Sequence, residues 1–168
     1  DDFNRRFAGG EGQVFEDHHR MFDEVELDLV CICLPPFAHS DQVMEAARHG
    51  VHVFIEKPIA LTSDQAWRMV EAVESSGIKS QVGFMWRFGE AVEYLRRALD
   101  DGEAGSPSVM LGRYYCNSLH SWWWRDRAKS GGQVVEQAIH HFDLMRYLLG
   151  EPKTVFALSL IHISEPTR

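Results

Sequence analysis

The sequence predicts an α/β fold built on a parallel sheet, and three observations carry that reading. Short apolar runs alternate with amphipathic stretches between residues 29 and 86, the pattern of strands covered by helices. The clearest run is apolar on both faces, as buried parallel strands are. Each amphipathic stretch closes on a glycine, Gly50 and then Gly77, where a helix C-terminus favours one.

Taken in order, Leu29–Leu34 (LVCICL) is the first expected strand, stopped by Pro35-Pro36. Ser40 can cap a helix carrying Val43, Met44 and Ala47,. Val51–Ile55 (VHVFI) is the second strand, followed at once by Glu56-Lys57-Pro58. Thr62 and Gln65 have capping-box spacing, and Ala66, Met69, Val70 and Val73 share one helix face,. Ser80–Trp86 is the third strand. Two strand–helix–strand units with right-handed crossovers place all three strands in one parallel sheet.

After Phe88 the texture changes. Glu90–Asp100 reads as a helix, Gly102 to Pro107 as a turn and Val109–Tyr115 as a strand. A Trp-rich loop, Trp122–Trp124, leads to Gly131-Gly132 and a long helix from Gln133 to Leu149, ended by Gly150 and Pro152,. A domain boundary is expected near Arg87, dividing 1–87 from 88–157. Leu158–Arg168 reads as translated transposon-end adapter sequence, so 158–168 is expected to be a non-native tail.

Composition narrows the function classes. Lys and Arg number 17 against 25 acidic residues, a net charge of −8, which disfavours nucleic acid as a partner. The longest clean apolar run, Leu29–Leu34, is too short to span a bilayer, so no membrane partner is expected. Three cysteines do not make a disulfide framework. Cys31 and Cys33 would share one strand face and are expected in the core of a cytoplasmic protein, with Cys116 alone. Gly9, Gly10 and Gly12 follow no strand and lack phosphate-loop spacing, so a turn is expected there.

Two groups of residues could carry chemistry. Glu56-Lys57-Pro58 ends a buried strand, where open α/β sheets bind ligands. A lysine there could hold a substrate oxygen, or could simply be solvated. Glu136, His140 and Asp143 fall at i, i+4 and i+7 on the long helix, with Tyr147 in line behind them. A histidine between two acids suits a general base, although a solvated helix face would look the same. A metal site is a third option and is not expected, because no second convincing histidine cluster offers further ligands. His18-His19 is expected on a polar helix facing water. Trp122–Trp124 could stack on a sugar or nicotinamide ring, or could plug a hydrophobic gap.

Three blocks in order, LVCICLPPFAHSDQVMEAARHGVHVFIEKP, VGFMWRF and GGQVVEQAIHHFDLMRYLLGEP, resemble the glucose–fructose oxidoreductase / inositol dehydrogenase (Gfo/Idh/MocA) family. The likeness covers most of Phe15–Ala157. It implies the C-terminal part of a Rossmann domain over 1–87, then the start of an α+β domain with an open antiparallel sheet. The family's phosphate turn and ribose-reading residue are expected to precede this stretch. The resemblance implies NAD or NADP as cofactor. Leu34, Pro35, Pro36, His39, Glu56, Lys57 and Pro58 would pass the dinucleotide, with Met85, Trp86 and Arg87 near the nicotinamide. It implies catalytic roles for Lys57, Glu136 and His140, Glu136 standing where the family usually has Asp. The substrate would be a sugar, inositol or related polyol held by Lys57, Trp124, Glu136 and His140, in a parent homo-oligomer. A redox-neutral enzyme using NAD transiently, and a non-catalytic nicotinamide-binding regulator, are the alternatives; intact Lys57 and His140 argue against the second.

Overall fold

The strand and helix signals before residue 86 fold as a layered α/β unit in the structure, a computed structural model that describes residues 2–115 and 120–158. Cys116 and tail residues 159–168 lie outside the described residues. The chain divides into two compact units, residues 1–84 with 114–139 and residues 85–113 with 140–168.

The first unit opens with two short helices, α1 (Asp2–Phe7) and α2 (His18–Glu24). Then β1 (Leu29–Ile32), α3 (Gln42–Arg48), β2 (His52–Ile55), α4 (Ser63–Ser76) and β3 (Ser80–Val82) alternate as expected. The strands are parallel, in the order β1-β2-β3, with Ile32 opposite Ile55 and Ile55 opposite Val82. Ile32, Val43, Ala46, Val53, Ile55 and Met69 form the buried core, with Phe22 of α2 joining it. Burial of a side chain of this size contributes about 1.5–3 kcal/mol, so this one cluster fixes register and helix placement together. Thr62 caps α4 by accepting from the Gln65 backbone N–H at 3.3 Å, and Gly77 closes it at φ +71°,.

Several expectations change. Cys31 and Cys33 are exposed rather than buried. Cys31 shares a face of β1 with Leu29, which is 54% exposed, Cys33 follows the end of the strand, and Val30 and Ile32 on the opposite face meet the core. β1 is an edge strand in the order β1-β2-β3. The third strand stops at Val82, because Phe84 N–H turns back to the Val82 carbonyl at 2.7 Å and Met85–Phe88 forms a 3-10 turn. Gly83 itself leaves room for Glu56, whose carboxylate would lie 3.1 Å from an added Cβ.

Asp41, not Ser40, precedes α3, and it makes no capping bond. Its two carboxylate oxygens meet His18 Nε2 at 2.9 Å and His19 Nε2 at 3.1 Å instead. His18 and His19 are therefore partnered rather than simply solvated. Burial pushes the Asp41 carboxyl up, but hydrogen bonds from His19 and His18 overcome it and hold it at about 2. The hydrogen bond to Asp17 raises His19.

Residues 120–139 complete the first unit. Trp122–Arg125 makes a 3-10 turn, Asp126 caps α6 (Arg127–Ser130), and α7 (Gln133–Glu136) follows Gly131-Gly132. Gly131 sits at φ +73°, and an added Cβ would lie 2.9 Å from Val135, so the turn admits nothing larger. The long helix expected from Gln133 to Leu149 is broken. α7 ends at Glu136, Gln137 departs to φ −119°, and α8 (Ile139–Leu149) starts afresh. The Gln133 carbonyl accepts from both Gln137 and Ala138, which widens the turn and interrupts the helical ladder.

In the second unit, α5 (Glu90–Asp100) and α8 contribute buried Ala98, Leu144 and Leu148. Arg96 donates to the Tyr147 carbonyl at 2.9 Å. Gly102 and Gly105 turn the chain at φ +76° and +65°, where a turn was expected. Val109–Tyr115 forms no strand, and no antiparallel pair occurs among the described residues. A strand exists only through a ladder partner, and Val109 and Leu111 remain exposed. No described helix is long and apolar enough to cross a membrane.

Candidate active site

β2 ends at Ile55, which delivers Glu56 and Lys57 to the C-terminal edge of the sheet. Lys57 reaches α7. Its Nζ donates to the Glu136 carbonyl at 2.8 Å and to Glu136 Oε1 at 3.1 Å. The first bond satisfies a carbonyl at a helix C-terminus, where a cation is favourable. An ammonium has three N–H donors, so one is left for another acceptor.

Glu136 is almost fully buried, and its second oxygen, Oε2, has no hydrogen-bond partner. Burial raises its carboxyl above the ordinary range, and although the Lys57 charge and hydrogen bond oppose this, burial prevails,. With Oε2 itself buried, Lys57 and Glu136 both line one small cleft of about 200 Å³. Its walls are Cys33, Leu34, Pro35 and Pro36 beyond β1, Glu56 beyond β2, and Trp123.

The expected site residues distribute as follows. Leu34, Pro35, Pro36, Glu56, Lys57 and Glu136 line this cleft, and Pro58 is fully buried behind it. His39 does not line it. It is buried, with Nδ1 2.9 Å from the Ile59 carbonyl and Nε2 3.1 Å from the Leu34 carbonyl. Its own carbonyl accepts from Gln65 at 2.6 Å. His39 therefore ties the loops after β1 and β2 to the start of α4. Trp123 borders the cleft, whereas Trp124 does not. Nothing in the Trp122-Trp123-Trp124 run distinguishes the middle ring, so sequence reasoning had no means of choosing it.

Met85, Trp86, Arg87 and His140 belong to the second unit. Met85 is exposed. Trp86 stacks on buried His140, ring centres 4.8 Å apart and 18° from parallel. Arg87 is committed to Asp143 through a two-pronged ion pair, with Nε at 2.8 Å, and lies over the Tyr147 ring at 4.9 Å.

The chemistry of the cleft suits a hydroxyl ligand, since one oxygen can accept from Lys57 while its proton or a neighbouring hydroxyl donates to Glu136. The flat Leu34-Pro35-Pro36 wall beside the sheet tip also suits a nicotinamide ring. No described strand leads into a glycine-rich turn, because Gly9 and Gly10 follow α1. The residues present thus fit the nicotinamide end of a dinucleotide rather than its phosphates.

Parallel strands whose carboxyl ends hold this cleft define the class, a dinucleotide-binding α/β protein. Comparison with known proteins supplies the family. Residues 4–84 match the oxidoreductase family with an NAD-binding Rossmann fold, and residues 92–166 match the GFO/IDH/MocA C-terminal domain. The chain belongs to the Gfo/Idh/MocA oxidoreductase family. It is 33% identical over 143 residues to scyllo-inositol 2-dehydrogenase (NAD(+)) of Bacillus subtilis (strain 168), covering 80% of this chain and 39% of that one. It is 30% identical to 2,7-anhydro-N-acetylneuraminate hydratase of Mediterraneibacter gnavus, covering 82% of this chain and 37% of that one. A structure of levoglucosan dehydrogenase in complex with NADH and levoglucosan superposes with a TM-score of 0.74 at 27% identity, over 89% of this chain and 42% of that one. The chain spans less than half the length of each.

Proposed function

We propose that the protein interconverts a secondary alcohol and a ketone on a sugar, inositol or related polyol, with NAD as hydride partner. The observation that carries this reading is the Lys57–Glu136 pair in the wall of one cleft, with a Lys57 N–H left over for an acceptor and Oε2 of Glu136 buried without a partner. A polyol hydroxyl in the cleft would satisfy the spare Lys57 donor. The Lys57 charge favours the alcohol oxygen as it loses its proton. Glu136 orients the substrate by accepting from a neighbouring hydroxyl. His140 takes the proton, as the base that the family's helix motif places four residues after the carboxylate. Bound NAD supplies the hydride chemistry, and the chain supplies orientation, charge and proton transfer.

In the active protein, His140→Ala is expected to lower kcat roughly 10²–10⁴-fold, the scale for losing a general base, while sparing cofactor binding. Steady-state kinetics with NADH titration by fluorescence checks both halves, and near-normal turnover would overturn the assignment. A second reading is favoured by the similarity to a hydratase. There the same residues serve a net redox-neutral reaction, recognised by product formation without accumulation of NADH.

A further inference from the structure

We propose that doubly protonated His19 clamps α2 to the start of α3 between two carboxylates, and that loss of its charge loosens α2. The clamp lies outside the Lys57 cleft and does not depend on the proposed activity.

The hydrogen-bond inventory of the His19 ring carries the argument. Its Nδ1 lies 2.9 Å from Oδ1 of Asp17, the N-cap residue of α2. Its Nε2 lies 3.1 Å from Oδ2 of Asp41, the residue before α3. A neutral imidazole carries one N–H, on either nitrogen. Either neutral form therefore turns a lone pair toward a carboxylate oxygen at hydrogen-bond distance, which repels. Only the doubly protonated ring donates at both ends. The extra proton stays on the ring rather than on an acid, because imidazole is the stronger base.

The surroundings fit one charge here, not two. The His18 ring centre lies 4.1 Å away, where a second cation would be repelled. His18 needs none, since a neutral ring can donate a single N–H from Nε2 to Asp41 Oδ1 at 2.9 Å. Ser40 Oγ donates to the same oxygen at 3.2 Å. The neighbouring charges are taken. Glu45, within 4.8 Å of the His19 and Asp41 atoms, accepts from Arg48 at 2.7 Å. Arg20 donates to Glu24 at 2.7 Å. At the far end of α2, Asp23 lies 3.6 Å from His49. Asp17 also caps α2, accepting from the His19 backbone N–H at 3.0 Å, so the clamp grips the first turn of the helix that sends Phe22 into the core.

The hydrogen bonds to Asp17 and Asp41 raise His19 above its ordinary 6.5. Its contribution to stability is therefore complete below 6.5 and lost as pH rises through the folded value,. Both acids are depressed below 3.8, so their contribution is present above 3.8 and lost as pH falls,.

The test is a pH titration of the chain followed by NMR of its histidine ring nitrogens, with amide exchange measured alongside. His19 should titrate with a midpoint above 6.5, and Asp17→Asn and Asp41→Asn should each lower that midpoint. Protection of the α2 amides, corrected for the intrinsic exchange rate, should fall as pH rises through it. His19→Gln should remove that step. A His19 midpoint at or below 6.5 overturns the clamp, and so does α2 protection that stays flat across a higher midpoint. Both readings come from the parent chain, so they decide even where a variant fails to fold.

Discussion

Two buried carboxylates, one in each unit, are treated in opposite ways by the fold. Asp143 of α8 meets the Arg87 guanidinium with both of its oxygens. Glu136 of α7 is nearly as buried, with side-chain exposures of 7% against 4%. Yet only one of its oxygens meets Lys57, and the other has no hydrogen-bond partner. A fork-shaped cation satisfies a carboxylate completely, whereas a point-like ammonium leaves half of it open. The first arrangement is structural in character. The second keeps a donor and an acceptor in reserve for a ligand, and a fold retains such a cost where function uses it.

The largest expected effect separates the two pairs by activity. In the active protein, Lys57→Met should cut kcat roughly 10²–10³-fold, the scale for losing one donor aimed at the reacting oxygen. The fold should survive, because Glu136 can then hold a proton, and circular dichroism alongside the kinetics would verify this. Turnover near the parent value would remove the distinction between the pairs.

Asp143→Asn should act on stability instead. It discards the charge while keeping the shape, and should cost about 2–3 kcal/mol in urea unfolding, short of the fully buried figure because Arg87 is partly exposed. An unchanged midpoint with lost turnover would show that this pair, too, belongs to the chemistry.

The smallest effect is a pH dependence. Burial raises the Glu136 carboxyl above 4.5, so between that value and the folded one the native state holds more protons than the unfolded chain. Stability must then fall as pH rises through this window. Glu136→Gln should flatten the slope, measured as urea midpoints at a series of pH values. A slope of the same size in the variant would assign it to other groups.

Much of this was legible along the chain. The βαβ order, the Thr62 cap, the Gly77 stop and the position of Lys57 at a strand tip all rest on local signals, since periodicity and turn chemistry act over a few residues. The break between α7 and α8 was not legible. Gln133 to Leu149 keeps an unbroken helical pattern, and the interruption lies in how the Gln133 carbonyl is shared. The exposure of Cys31 and Cys33 was equally hidden, because an apolar run does not say whether both faces of a strand are covered.

The sequence by itself determined the fold class, the family and the residue types available to the site, because these follow from patterns and motifs that need no partner. Only tertiary structure decided that Lys57 is held by Glu136 from 79 positions away. It also decided that His39 lies between two loop carbonyls and donates to one, that Trp123 rather than Trp124 borders the cleft, and that Asp41 turns from capping to His18 and His19. The Trp123 position is a matter of packing, and each of the others is a choice among hydrogen-bond partners of similar strength. Such choices are settled by which groups the packed core brings within about 3 Å, and no spacing along a chain encodes that distance.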